Sequence, residues 1–263
     1  ITIEDLGGVP RSARSTAWVM VWSMAVWNQR LYVGGGIVNQ PPVFAGQPWA
    51  GMASWNGTAW TPTITSITGT NVGVFAMAPF DDGSGEKLYI AGRFSSINGV
   101  AGTSLIARWD GTNWTSVGGG LTSTNANFGL ETMTVFNDGS GPALYVGGYA
   151  FFRTGLATSH VAKWNGTTWT SVGGSLGTGR ITSMAAFDDG GGSKLYIGGT
   201  AMPQFFYIAR WEGGAWTPVG GGIPVPAVSP FPSVFGLGVW DSKLYVAGNF
   251  TQIGTAPLTA SGL

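Results

Sequence analysis

Leu144-Tyr145-Val146-Gly147-Gly148 is one of five copies of a single phrase. The others are Leu31-Tyr32-Val33-Gly34-Gly35, Leu88-Tyr89-Ile90-Ala91-Gly92, Leu195-Tyr196-Ile197-Gly198-Gly199 and Leu244-Tyr245-Val246-Ala247-Gly248, at spacings of 57, 56, 51 and 49 residues. A unit of this size cannot bury its own apolar face, so repeats of this period stack as propellers or solenoids. The phrase decides the architecture. It does not name a function.

Each phrase sits among three other strand-like runs. Before it comes an apolar run such as Phe75 to Phe80, matched by Trp22 to Trp27, Glu131 to Phe136, Thr182 to Phe187 and Phe235 to Trp240. After a loop of variable length comes Ser104 to Trp109, echoed by Gly51 to Trp55, Ser159 to Trp164 and Tyr207 to Trp211. A tight turn such as Asp110-Gly111 or Asn165-Gly166 then suits a two-residue hairpin, and Trp114 to Gly119 closes the unit, with echoes at Trp60, Trp169 and Trp216. Four antiparallel strands per repeat make a propeller blade, and no segment sustains a helical period. The expected domain is single, spanning 1–263, with repeats at about 18–67, 72–121, 128–176, 180–223 and 233–263.

The fifth repeat lacks its closing Trp run. Leu258 to Leu263 can supply a third strand, and Ile3-Glu4-Asp5-Leu6-Gly7-Gly8 aligns with the missing fourth. The expectation is an all-β, five-bladed propeller closed by that N-terminal strand (1–9), which leaves no inter-blade edge to aggregate. The Gly doublet after an apolar-Tyr strand, then an aromatic, a turn and a Trp, resembles the kelch repeat over almost the whole chain. The chain departs from that pattern in having Trp on strand three and a shorter turn before the next Trp. The resemblance implies blades and a binding surface more than a catalytic one.

Composition removes several function classes. Twelve basic residues balance twelve acidic ones, and charged residues are only 9% of the 263. No basic tract suits nucleic acid or an anionic membrane surface, and no apolar stretch reaches transmembrane length. With no Cys and a single His, no thiolate nucleophile, Ser-His-Asp triad or zinc site can be built, and no cofactor is expected. The 45 glycines accompany 13 Trp and 14 Phe, which reads as tightly turning β-structure. A near-neutral, Gly/Trp-rich chain is expected to be exported, to the extracellular space or cell surface.

Chain direction sorts the loops onto two ends of each blade. One end holds short, uniform turns, such as Asp81 to Gly85, Asn137 to Gly141 and Asp188 to Gly192. These Asp-rich turns lack the alternating spacing of a calcium loop, and Asp-Gly is ordinary turn chemistry. The other end gathers long, dissimilar loops rich in aromatics, Arg93 to Thr103 and Tyr149 to Thr158 among them, where function concentrates on a rigid scaffold. Trp49, Phe94, Tyr149, Phe151, Phe152, Phe205 and Phe206 are the candidate ligand-binding aromatics, the adjacent Phe pairs above all. Glu131, the only acid on an innermost strand, is a candidate ligand contact or a partner for Arg153 or Arg180. On strand one, Trp22, Phe75, Glu131, Thr182 and Phe235 share a face with the column Met24, Met77, Met133, Met184 and Leu237, opposite small residues, which reads as inter-blade packing. His160 reads as structural.

The leading expectation is a non-catalytic, exported binding or scaffold propeller recognising carbohydrate or a protein partner. A glycoside hydrolase or lyase is the first alternative, but it needs two carboxylates flanking the scissile bond, and the inner strands supply one. A structural subunit of a larger surface assembly is the second.

Overall fold

The computed structural model describes residues 18–38, 43–44, 47–48, 50–174, 176–177, 179–200, 207–223, 232–250, 252–253 and 256–257. Every regular element among them is a β-strand, and all ladders are antiparallel. The chain divides into two compact units, Ile1–Thr122 with repeats one and two, and Ser123–Leu263 with repeats three to five. Repeats one to four each contain the four expected strands. In repeat two these are Gly73–Asp81, Glu86–Arg93, Ile106–Trp109 and Trp114–Ser116, paired in that order. Repeat five has Ser233–Trp240 and Lys243–Asn249, followed by the small pair Gln252–Ile253 and Ala256–Pro257. The strands expected at Leu258 to Leu263 and Ile3 to Gly8 lie outside the described residues.

The first strand of every repeat carries a bulge at one fixed place. Its ladder with the Leu-Tyr strand skips Trp22, Phe75, Glu131, Thr182 and Phe235 in turn. Each bulge stands opposite the Gly pair of the phrase. A bulge bends its strand toward the partner and re-aims one side chain. The second Gly absorbs that bend: a Cβ on Gly35, Gly92, Gly148 or Gly248 would run into the carbonyl oxygen of Met20, Gly73, Gly129 or Ser233. The phrase therefore keeps Gly at its second position for a steric reason. The five bulged residues were expected to share a packing face with the Met column, and several do reach a neighbouring repeat: Trp22 meets Phe75 edge-on, Glu131 pairs with Arg180, and the Thr182 hydroxyl donates to the Val234 carbonyl. Trp22 is 40% and Phe235 60% exposed.

The first position of the pair has a different task. A Cβ on Gly34 or Gly147 would collide with the methyl carbon, Cε, of Met77 or Met184 from the following repeat. In repeats two and four the Met column thus packs the first strand onto the preceding sheet, as expected. On the opposite, small-residue face, the Ser23 hydroxyl donates to the Val74 carbonyl at 3.3 Å, and Ser183 Oγ accepts the Leu237 N–H at 2.8 Å. The methionines reach backward and the serines bond forward.

Tryptophans hold the outer strands. Cross-strand Trp pairs recur in four repeats, Trp109–Trp114 at 5.0 Å between ring centres and Trp211–Trp216 at 5.1 Å among them. Trp114 Nε1 donates to the Thr63 carbonyl of the preceding repeat at 3.1 Å, and Trp216 Nε1 to that of Val172 at 3.3 Å. The fourth-strand Trp is both core filler and inter-repeat staple.

Candidate functional site

The turn end of the sheets is occupied by its own chemistry. The first turn residue caps the loop: Asp81 Oδ1 accepts the N–H groups of Gly83 and Gly85, and Asn137 does the same for Gly139 and Gly141. Asn serves there as well as Asp, so no charge is needed. The second residue is an acid and is engaged. Asp138 Oδ2 accepts from the Tyr145 hydroxyl at 2.9 Å and pairs with Lys163 at 2.5 Å. Asp82 meets Tyr89 and Arg108 in the same way, and Asp189 meets Tyr196 and Arg210. The ladder places each cation directly across from each Tyr. Among the described residues no cluster of acids or His is arranged to hold a metal ion.

These Tyr–Asp–cation latches make stability depend on pH at both limits. Burial opposes ionisation of Asp138, yet bonds from Lys163, Ser140 and Tyr145 outweigh it and hold the carboxyl well below its ordinary 3.8. Burial, then the bond to Asp138, pushes Tyr145 above its ordinary 10.0. Below pH 3.8 the unfolded chain takes up protons that the folded Asp138 refuses, so stability falls as pH falls. Above pH 10.0 the unfolded Tyr145 releases its proton first, so stability falls as pH rises. Asp138→Asn keeps the turn bond but loses the charge. It is expected to cost about 2 kcal/mol at neutral pH, with the gap to wild type narrowing in thermal melts below pH 3.8.

The Gly-pair end is built differently. Glu131, at the bulge, pairs with Arg180 at 3.1 Å, one of the two cations anticipated for it. The Arg180 guanidinium lies 5.4 Å from the centre of the Phe128 ring, and Phe128 stacks on Tyr149 at 4.7 Å. Tyr149 in turn stands edge-on to His160. His160 is fully buried inside Leu156–Trp164, and its Nδ1 accepts the Leu176 N–H at 3.0 Å. Burial lowers its pKa, so the ring stays neutral and structural.

Two of the candidate aromatics are core residues. Phe94 is 2% exposed, because its loop is zipped down: Ser96–Ile97 pairs with Ile67–Thr68, and Asn98 Oδ1 accepts from the N–H groups of Thr65 and Ser66. Phe94 then packs with Ile64 and Ile97. Phe151 is fully buried, because the expected loop from Tyr149 to Thr158 is an extended hairpin of Pro142–Arg153 and Leu156–Trp164. Strand alternation buries Phe151 and leaves Phe152 41% exposed. The adjacent pair is split by the sheet rather than shared by a surface. Trp49, Phe205 and Phe206 lie outside the described residues.

The two ends also differ in charge. Among the described residues, Asp81, Asp82, Glu86, Asp110, Asp138, Asp188, Asp189, Glu212 and Asp241 all sit at or beside the short turns. At the Gly-pair ends the described charges are Arg93, Arg153, Arg180 and the single acid Glu131. The same end of repeats one and two holds a second aromatic–Arg corner, which the sequence did not single out. There Trp22 meets Phe75 edge-on at 4.6 Å, and the Arg93 guanidinium lies 5.5 Å from the Phe75 ring centre.

No protein-family model and no curated protein matches the chain. Two crystal structures of the extracellular domain of BT4673 from B. thetaiotaomicron are similar to it. One is described as a hybrid two-component system, with a TM-score of 0.56, and the other as a one-component system, with 0.55. Identity is 10% in both, over 91% of this chain. The chain spans about a quarter of those proteins' length, 27% and 28%. That likeness is one of all-β fold alone. A glycosyl hydrolase from Bacteroides ovatus aligns at a TM-score of 0.39 with 12% identity, covering 86% of this chain and 79% of that one. A score so low carries no argument.

Proposed function

We propose that the chain is a non-catalytic, exported binding or scaffold protein. In this reading its kelch-like repeats form a five-bladed β-propeller closed by the N-terminal strand, and its Gly-pair ends recognise carbohydrate or a protein partner. The observation that carries the reading is the segregation of charge. Glu131 and Asp138 bracket one strand of repeat three, about 20 Å apart at the rise of an extended strand. A glycosidase needs its two carboxyl groups within about 10 Å. Glu131 has no second described acid at its own end, and its charge is already matched by Arg180. The end is furnished to hold a ligand rather than to cut one.

Exposure on the first and last repeats supports closure. Met24 is 67% and Val26 71% exposed in repeat one, on the face that in repeats two and four packs against the preceding sheet. In repeat five Trp240 is 71% and Tyr245 46% exposed. Apolar surface of this kind is what a closing seam covers. The fold-level likeness to extracellular domains supports export.

The test is a glycan array run beside pull-downs from the native sample, with fractionation to locate the chain. Wild type is expected in the extracellular or surface fraction and to retain a ligand that Arg180→Ala or Glu131→Ala releases at least tenfold. Capture unaltered by both substitutions would place the site elsewhere. Hydrolysis of a captured glycan by wild type but not by Glu131→Gln would overturn the non-catalytic reading.

A further inference from the structure

The corner formed by Trp22, Phe75 and Arg93 is built like a ring-binding site. Trp22 is the bulged residue of repeat one, so the bulge turns it out of the ladder. Its benzo ring rests against Gly36 and Gly73, where any Cβ would strike it, and these two glycines are paired across the sheet. Phe75 braces the indole edge-on at 4.6 Å and 65°. The indole is thus fixed on one side and remains 40% exposed. Met20, Val21, Met24 and Val26 of the same strand are exposed as well. Met24 takes the place where Met77 packs back onto the preceding sheet, whereas Trp22 reaches forward onto repeat two.

Arg93 supplies the polar half. Its guanidinium lies 5.5 Å from the Phe75 ring centre, and its Nε donates to the Asn71 carbonyl at 2.6 Å, which sets the plane of the fork. A planar fork matches a carboxylate with two parallel bonds. A second aromatic–Arg contact, Phe128 with Arg180, joins repeats three and four at this end from other positions of the repeat, and there the guanidinium also pairs with Glu131. The described charges there are three arginines against one acid.

We propose that Trp22, Phe75 and Arg93 form a subsite for a carboxylate-bearing pyranose. The CH face of the sugar stacks on Trp22 and its carboxylate is held by Arg93. This rests on the binding function proposed above and names its ligand class. A pyranose suits the corner because it offers an apolar face rimmed by polar groups, which is the arrangement that an amphipathic aromatic beside a fixed donor selects.

Titration calorimetry and tryptophan fluorescence with a galacturonate oligomer, and with the same oligomer methyl-esterified, test it. Wild type is expected to bind the free acid at least tenfold more tightly than the ester. Trp22→Ala and Arg93→Ala should each lose at least tenfold, with Arg93→Lys between. Met24→Ala should match wild type, and thermal melts confirm that each variant is folded. Equal binding of acid and ester, or full binding by folded Trp22→Ala, overturns the subsite while leaving the binding function intact. Failure of wild type to bind the oligomer, alongside capture of another glycan or an acidic peptide in the screen, overturns the ligand class alone.

Discussion

Gly148→Ala is expected to abolish stable folding of the second unit, whereas Gly139→Ala is tolerated. The Cβ of an alanine at 148 would overlap the Gly129 carbonyl oxygen and lie 2.8 Å from Leu130 Cα. Both obstacles are backbone, held by the Leu130–Gly148 pairing beside the bulge. No side chain can swing away, so the ladder itself must open. A loss of about 4 kcal/mol or more is expected, a size reserved for such collisions and comparable with the whole stability of many domains. Gly139 has a φ of 97° but meets nothing within 4 Å, so alanine there costs only backbone strain, about 1–2 kcal/mol. Gly147→Ala falls between, because its nearest neighbours, the flexible end of Met184 and Ile181 Cγ2 at 2.9 Å, are side chain rather than backbone, and Ala91 and Ala247 already occupy that position in other repeats. Urea denaturation of the three variants gives the order. Equal losses at 148 and 139 would mean that conformational preference, not close approach, keeps the second Gly.

Phe151→Ala should destabilise the protein by about 3–5 kcal/mol, the usual result of emptying a buried aromatic site. Its neighbour Phe152, exposed on the opposite face of the strand, should change stability by less than about 0.5 kcal/mol when replaced. Thermal melts of the two single variants separate the sites. A double variant used as a binding probe would therefore report unfolding, and only Phe152→Ala can report contact. Similar melts for both would mean that the hairpin does not alternate as described.

The repeat was legible because its signals are local. Tyr145 and Lys163, or Asp138 and its Gly139 turn, sit within one repeat, and turn chemistry and alternation place them without knowledge of the rest. The buried state of Phe94 was not legible, since it depends on Ser96–Ile97 pairing with Ile67–Thr68, a ladder of two residues with no pattern of its own. Phe151 was misplaced for a related reason: a run from Tyr149 to Arg153 reads as loop until the partner strand from Leu156 is known. The bulge at Trp22 and Phe75 was not legible, because one extra residue in a strand changes which face each neighbour takes. The bulge left a trace all the same, as the obligatory second Gly opposite it. Glu131 stood out as an acid on an inner strand, and the choice of Arg180 over Arg153 required the fold.

Hydrogen–deuterium exchange of the protein with and without the strongest binder from the glycan and pull-down screen tests most directly which end works. Protection is predicted at 71–75, 92–95, 128–133, 147–153 or 180–182, around Arg93, Glu131 and Arg180. Protection confined to the turns at 81–86, 109–114, 137–142 and 188–193 would contradict the account.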